Sequence, residues 1–190
     1  MEISPRTVPP GHYLTDEQIE AALPPKKLRP SLMEQVMRRL MRDTVRMAGA
    51  VGDVRPGTCE TVGSDRGEKR SQRCLVSYEG IDVVWNVRFT KIDGGLWTTA
   101  EYRAEPVTGV LTARKVYETA GWHYDKLSPQ RCDRMPRLIR VERVGEPTRY
   151  QCQSRIHECI DDKGWRFRWV NSFVSVDEDG NVDYVAQKSE

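Results

Sequence analysis

Val83-Val84-Trp85-Asn86-Val87-Arg88-Phe89-Thr90-Lys91-Ile92 is the stretch that decides the fold. Val83, Trp85, Val87 and Phe89 fall on one side of an extended chain and mostly polar residues fall on the other. That period of two predicts a long strand with one buried face. Asp93-Gly94-Gly95 supplies a hairpin turn, and Leu96–Ala104 returns as the partner strand. On the return, Trp97 and Thr99 share one face; Thr98, Ala100 and Tyr102 share the other. Upstream, Cys74-Leu75-Val76-Ser77-Tyr78 reads as a strand and Gly80 as a turn. Before it lie a charged turn over Gly63–Ser71 and a Pro56-Gly57 loop that holds Cys59.

A helix is available to cover this sheet. Ser31 is a candidate N-cap with Glu34 as its capping-box partner. Met33, Val36, Met37, Leu40, Met41, Thr44, Met47 and Ala48 then recur at helical spacing, and Gly49 and Gly52 mark the end. Packing into the core is the expected role of this methionine-rich stripe. A shorter helix precedes it. Thr15 and Gln18 form a second capping box, Ile19, Ala22 and Leu23 give an apolar side, and Pro24-Pro25 stops it. Residues 1–13 read as a proline-rich arm, and Lys26–Pro30 as a basic linker.

The same order recurs downstream. Leu111–Ala120 is expected to be helical, with Leu111, Val116, Tyr117 and Ala120 on its apolar side and Gly121 as its C-cap. Cys132 follows a loop containing Pro129. Leu138–Val141 and Tyr150–Gln153 read as strands, with Gly145-Glu146-Pro147 as a turn between them and Cys152 in the second. Asp161–Gly164 turns into Trp165-Arg166-Phe167-Arg168-Trp169, where aromatic residues alternate with arginines. The expectation is that the aromatics face the core and the arginines face water. Phe173, Val174 and Val176 extend this strand, and Val182–Ala186 closes a last hairpin around Glu178–Asn181. Helix, cysteine, cysteine and tryptophan-bearing strand thus occur twice, which suggests an internal repeat. The reading is α+β: an arm with a short helix over 1–30, and two similar units over 31–105 and 106–190. Each unit is one helix packed on a curved antiparallel sheet.

The repeat pairs Cys59 with Cys74 and Cys132 with Cys152 as disulfides and leaves Cys159 over. Two rival readings stand beside this one. Cys132, Cys152, His157 and Cys159 are candidate zinc ligands, although their spacing matches no established signature. The cysteines could also be reduced and buried. Neither a metal nor a cofactor is expected, and enzymatic constellations are sparse. The three histidines are His12, His123 and His157, and a Cys159–His157 pair two positions apart is not in itself a catalytic geometry. The expectation is therefore not an enzyme. The succession of helix, Cys59, charged glycine turn, Cys74 and paired strands resembles small secreted actinobacterial domains of unknown function with a cystatin-type fold. That resemblance covers about 31–104 and, more weakly, 108–186. It implies a helix on a curved sheet and carries over no site residue.

Composition narrows the partner classes. Thirty basic residues against 28 acidic ones leave a net charge of +2 in 190 residues, which argues against a globally basic nucleic-acid binder. No run of about 18 apolar residues is present, so no spanning helix is expected. Paired cysteines point to an oxidising compartment, secreted or cell envelope if a signal was removed. The first 30 residues carry no apolar signal core, which by itself would place the chain in the cytoplasm. The leading functional expectation is a binding or adaptor protein that docks another protein through its N-terminal arm or a sheet face, with homo-oligomers and larger assemblies open. The residues named for docking are Tyr13, Leu14, Ile19 and Leu23. The alternative is an intracellular component of a viral or nucleoprotein assembly that uses the arginine-rich 131–149 face. Arg134, Arg137, Arg140 and Arg143 are its candidate anion-binding residues.

Overall fold

In chain order the first elements are β1 (Glu2–Ile3), α1 (Asp16–Ala22), α2 (Leu32–Ala48), β2 (Val54–Val62), β3 (Ser71–Tyr78), β4 (Ile81–Asp93) and β5 (Thr99–Pro106). They are followed by β6 (Gly109–Thr112), α3 (Ala113–His123), β7 (Gln130–Cys132), β8 (Leu138–Val141), β9 (Gln151–Cys159), β10 (Trp165–Val176) and β11 (Val182–Ala186). This computed structural model describes residues 1–3, 13–62, 71–93, 99–123, 129–159 and 164–186. His12 and most of the proline-rich arm lie outside the described residues, as do 63–70, 94–98 with Trp97, and 161–163.

Both expected capping boxes are made. The Thr15 hydroxyl accepts from the Gln18 amide at 3.3 Å while the Gln18 side chain accepts from Thr15 at 2.9 Å. Ser31 and Glu34 do the same for α2 at 3.3 and 2.8 Å. At the far end α2 stops at Gly49, in a left-handed conformation with φ of 71°. Its buried side is Val36, Met37, Leu40, Met41, Thr44, Val45, Met47 and Ala48.

α2 packs on a four-stranded sheet in the order β2-β3-β4-β5, with every pairing antiparallel. Val83, Trp85, Val87 and Phe89 of β4 are buried, as their alternation predicts. The Trp85 indole donates to Thr44 Oγ1 at 3.1 Å, and Thr44 donates on to Leu40 O at 2.8 Å. A buried polar pair is thereby satisfied between helix and sheet. β3 and β4 join through Glu79-Gly80, whose φ angles are 51° and 81°. Two consecutive positive φ values are what the right-handed twist of a two-residue hairpin requires.

Two local expectations are corrected. Cys59 lies in a strand, not in a loop: Pro56 and Gly57 belong to edge strand β2, whose ladder with β3 shifts register between Pro56 and Cys59. An edge tolerates a proline, and the bulge absorbs the irregularity. A Cβ at Gly57 would sit 2.8 Å from Leu75 O, so glycine lets the two backbones approach. Leu111 is not helical. Gly109–Thr112 forms β6, wholly buried and paired with β8, and α3 starts one residue later. The Thr112 hydroxyl accepts from the Lys115 amide at 3.2 Å and so caps α3. Gly121 lies inside α3 and does not terminate it.

The third sheet has five strands in the order β1-β7-β9-β10-β11, again antiparallel throughout. β9 is longer than Tyr150–Gln153 and runs to Cys159. Both disulfides form, Cys59–Cys74 and Cys132–Cys152, and each joins directly opposed residues of neighbouring strands with Cα atoms 4.0 Å apart. Each therefore ties strand to strand within one sheet. In the chain-entropy account, closing loops of 15 and 20 residues contributes roughly 3 kcal/mol each. Buried residues from 1–30, 31–105 and 106–190 form one apolar cluster.

The C-terminal end of α2 is where these parts meet. The ammonium of Lys115, on α3, donates to Arg46 O at 3.0 Å, Met47 O at 2.9 Å and Gly180 O at 2.6 Å. Burial pushes its pKa down from 10.5 to about 8. The last carbonyls of a helix carry partial negative charge, so they are suited to holding a cation. Glycines make room for it: a Cβ at Gly49 would lie 2.5 Å from Lys115 Cδ, and one at Gly180 would lie 2.9 Å from Met47 Cα. Lys115→Met keeps the stem and removes the donor. It is expected to lower the unfolding free energy by about 2–4 kcal/mol in denaturant titrations, because Met47 O and Gly180 O lose a buried donor and Arg46 O keeps only the Gly49 amide.

α1 is held on α2 by apolar contact and by charge. Ile19 and Leu23 are buried, Arg38 pairs with Glu20 at 2.5 Å, and Arg46 pairs with Asp16 at 2.6 Å. Hydrogen bonds and charge from Arg46 lower the Asp16 pKa, and those from Arg38 lower that of Glu20. Lys27 and Ser31 hold the Glu34 carboxyl at about 2, against an ordinary 4.5. A carboxylate with a depressed folded pKa contributes stability that is present above its unfolded value and lost as the pH falls through the folded one. Acidification from pH 5 towards pH 2 is therefore expected to loosen α1 and the start of α2 first. Hydrogen exchange should show their amides deprotecting before those of β3 and β4.

Candidate functional site

The sequence places Trp165, Phe167 and Trp169 on one face of a strand, and the structure turns the described ones outward. Phe167 is 54% exposed and Trp169 is 38% exposed. The expectation that this face meets the core is corrected. The core side of the sheet is set by Cys132, Cys152, Ser154, Ser172 and Val174, all buried. By the two-residue period, 167 and 169 then fall on the opposite face. Arg166 and Arg168 are exposed as well, so this end of β10 runs past the core.

The outward rings sit among arginines from neighbouring strands. Register pairs Arg131 with Gln153, Gln153 with Asn171, and Arg155 with Trp169. The Arg131 guanidinium lies 4.2 Å from the centroid of the Trp169 ring, and that of Arg155 lies 4.5 Å from the centroid of Phe167. Stacking of this kind is worth roughly 0.5–1 kcal/mol at exposed sites, and it fixes the plane of the cation. Arg131 Nε donates to Gln153 Oε1, and Gln153 Nε2 donates to Asn171 Oδ1 at 2.5 Å. A polar row thus crosses three strands beside the rings. Arg155 Nε is buried and has no hydrogen-bond partner among the described residues. Beyond Arg131 the strip opens into a hollow of about 310 Å³ lined by Met1, Arg134, Asp133 and Gln151. Asp133 is engaged there, accepting from the Gln151 amide at 2.8 Å.

The residues singled out from sequence do not assemble into one site. Tyr13 is 62% exposed, and Leu14 is half-buried against the core. Ile19 and Leu23 are buried, so the apolar side of the short helix is taken by the chain itself. Arg137 pairs with Glu79 at 2.8 Å, Arg140 with Glu142 at 3.3 Å and Arg143 with Glu146 at 2.7 Å. Arg134 borders the strip and makes no ion pair with a carboxylate among the described residues. Cys132 and Cys152 are bonded to each other and are not thiolates for zinc. His157 and Cys159 occupy the β9 positions opposite Phe167 and Trp165. No group of three or more histidine, cysteine, aspartate or glutamate side chains among the described residues could hold a metal ion. A wider cleft of about 1080 Å³ runs along the linker between α1 and α2. Its polar walls include the satisfied Arg38–Glu20 and Arg46–Asp16 pairs.

Comparison of the chain with protein-family models, with curated proteins and with solved structures gives no match in any of the three. The strip is therefore read from its chemistry alone. If Phe167 and Trp169 belong to the surface, removing them should barely touch stability. Phe167→Ala and Trp169→Ala are expected to change the unfolding free energy by less than about 1 kcal/mol. Trp85→Ala, in the core, should cost about 3–5 kcal/mol in the same denaturant titration.

Proposed function

We propose that the protein is a non-enzymatic binding or adaptor protein that docks a second protein on the outer face of its five-stranded sheet. The observation that carries this reading is the exposure of Phe167 and Trp169 beside the stacked Arg131 and Arg155. Tryptophan and arginine are the residues most enriched where binding energy concentrates, and large exposed apolar groups on a folded surface mark interaction sites. Rigid rings and stacked guanidiniums also lose little conformational freedom on docking. A sheet face suits this better than the short N-terminal helix, whose Ile19 and Leu23 are already buried.

The two disulfides support an oxidising compartment, hence an extracytoplasmic protein. No helix among the described residues is long and apolar enough to cross a membrane. The chain is also read as two similar helix-plus-sheet units. What supports this is the shared order of a helix, a disulfide-bridged strand pair and a following strand, in α2, β2, β3 and β4 and in α3, β7, β9 and β10.

The test is differential capture from the extracytoplasmic fraction of the producing organism. The wild-type protein and Tyr13→Ala should retain the same stoichiometric partner, and Trp169→Ala should lose it. Loss on Tyr13→Ala alone would move docking to the arm. Retention by the wild type and both variants would end the sheet-face reading.

A further inference from the structure

We propose that the partner meets the strip with an acidic segment, its carboxylates seated on the N–H edges of Arg131, Arg134 and Arg155. This deepens the docking reading and rests on it. Many of the chain's other surface arginines face carboxylates of their own: Arg38 and Arg42 meet Glu20, Arg137 meets Glu79 and Arg143 meets Glu146. With a net charge of only +2, that pairing leaves little uncompensated charge over much of the molecule. Arg131, Arg134 and Arg155 are exceptions: none forms an ion pair among the described residues. Two described carboxylates are their neighbours in the sheet or the chain. Glu2 is the cross-strand neighbour of Arg131 and is not paired with it, and Asp133 is engaged by a backbone amide.

Stacking prepares two of these cations for a carboxylate. A guanidinium lying on a ring uses its π face, and its donors lie in the plane of the group. Arg131 spends only Nε, on Gln153, and its two terminal nitrogens make no hydrogen bond among the described residues. Arg155 spends none, and its Nε is hidden from water. A planar cation that is already oriented, with its terminal donors uncommitted, is the form that takes a carboxylate in two parallel hydrogen bonds. The same stacking disfavours single-stranded nucleic acid. Base recognition needs open ring faces, and the guanidiniums cover faces of Trp169 and Phe167. Nor does the near-neutral chain offer the extended basic track on which phosphate binding depends.

The probe is poly-L-glutamate, titrated into the intact oxidised protein and followed by NMR at the Trp169 indole and the Arg131 and Arg155 Nε–H resonances. The expected result is saturable shifts at those signals, an apparent Kd at least tenfold weaker in Arg131→Gln/Arg155→Gln, and marked weakening between about 50 and 300 mM salt. Shifts that persist unchanged in the double variant would overturn the proposal. Oligo(dT) of equal charge binding tenfold more tightly would overturn it too, in favour of nucleic acid. If poly-L-glutamate shifts nothing while Trp169→Ala still releases the captured protein, the acidic assignment falls and sheet-face docking stands. If neither responds, both fall.

Discussion

The buried ammonium of Lys115 is the contact on which the arrangement of the elements depends. Its three carbonyl partners come from the last turn of α2 and from the turn between β10 and β11, while its own backbone belongs to α3. One cation therefore joins α2, α3 and the hairpin that closes the five-stranded sheet. Around it the chain tolerates almost no extra volume, since a Cβ at Gly109 would lie 2.7 Å from Met47 Sδ. Nearby, Thr112 donates to Ala48 O at 2.9 Å and Tyr184 donates to Val116 O at 2.6 Å. Buried carbonyls at a helix end are costly when left unpaired, and here those of Met47 and Ala48 are satisfied by side chains of β6 and α3.

With the inner face of the five-stranded sheet fixed against the core, its outer face is left to do something else. β9 and β10 are long, and residues 166–169 of β10 are exposed. A strand that outruns its core has no packing reason to be aromatic there. Phe167 and Trp169 are large apolar groups placed in water with cations laid over them, and such stacks shield part of the rings without burying them. The core would not lose by replacing them, which is why their presence reads as recognition and not as packing.

Much of the fold is legible in the chain. Both capping boxes, the β4 alternation, the Glu79-Gly80 turn and the two cysteine pairs follow from residue chemistry at fixed spacing. What misled the reading of the site has a physical cause. Alternation says which residues share a face, but it does not say which face meets the core. For Phe167 and Trp169 it is set by the buried Cys152, Ser154 and Ser172 on the neighbouring stretch of β9 and β10, and by the register between those strands. The pairing of Arg137 with Glu79 spans 58 positions, so sequence cannot anticipate that this member of the basic run is neutralised while Arg134 forms no ion pair among the described residues. Lys115 leaves no trace either, because its partners are backbone carbonyls and carry no residue signature. The two-residue strand β1 is too short to show any period, yet the Met1 amine donates to Cys132 O at 2.7 Å and the Cys132 amide donates back to Met1 O at 2.8 Å.

The placement of the cysteines also shapes how the chain can reach its oxidised form. The native bridges close separations of 15 and 20 residues, whereas Cys74 and Cys132, the nearest cysteines of different bridges, are 58 positions apart. Loop-closure entropy favours the shorter closures by roughly 1 kcal/mol or more, so each bridged strand pair can oxidise on its own before the sheets dock. Cys159 is the nearby competitor, only seven positions from Cys152. Once β9 is extended, seven residues of strand set the two apart by about 23 Å, far beyond the reach of a disulfide. Strand formation thus protects the native pairing from the odd thiol, and oxidation before β9 forms is the route by which scrambled isomers would arise.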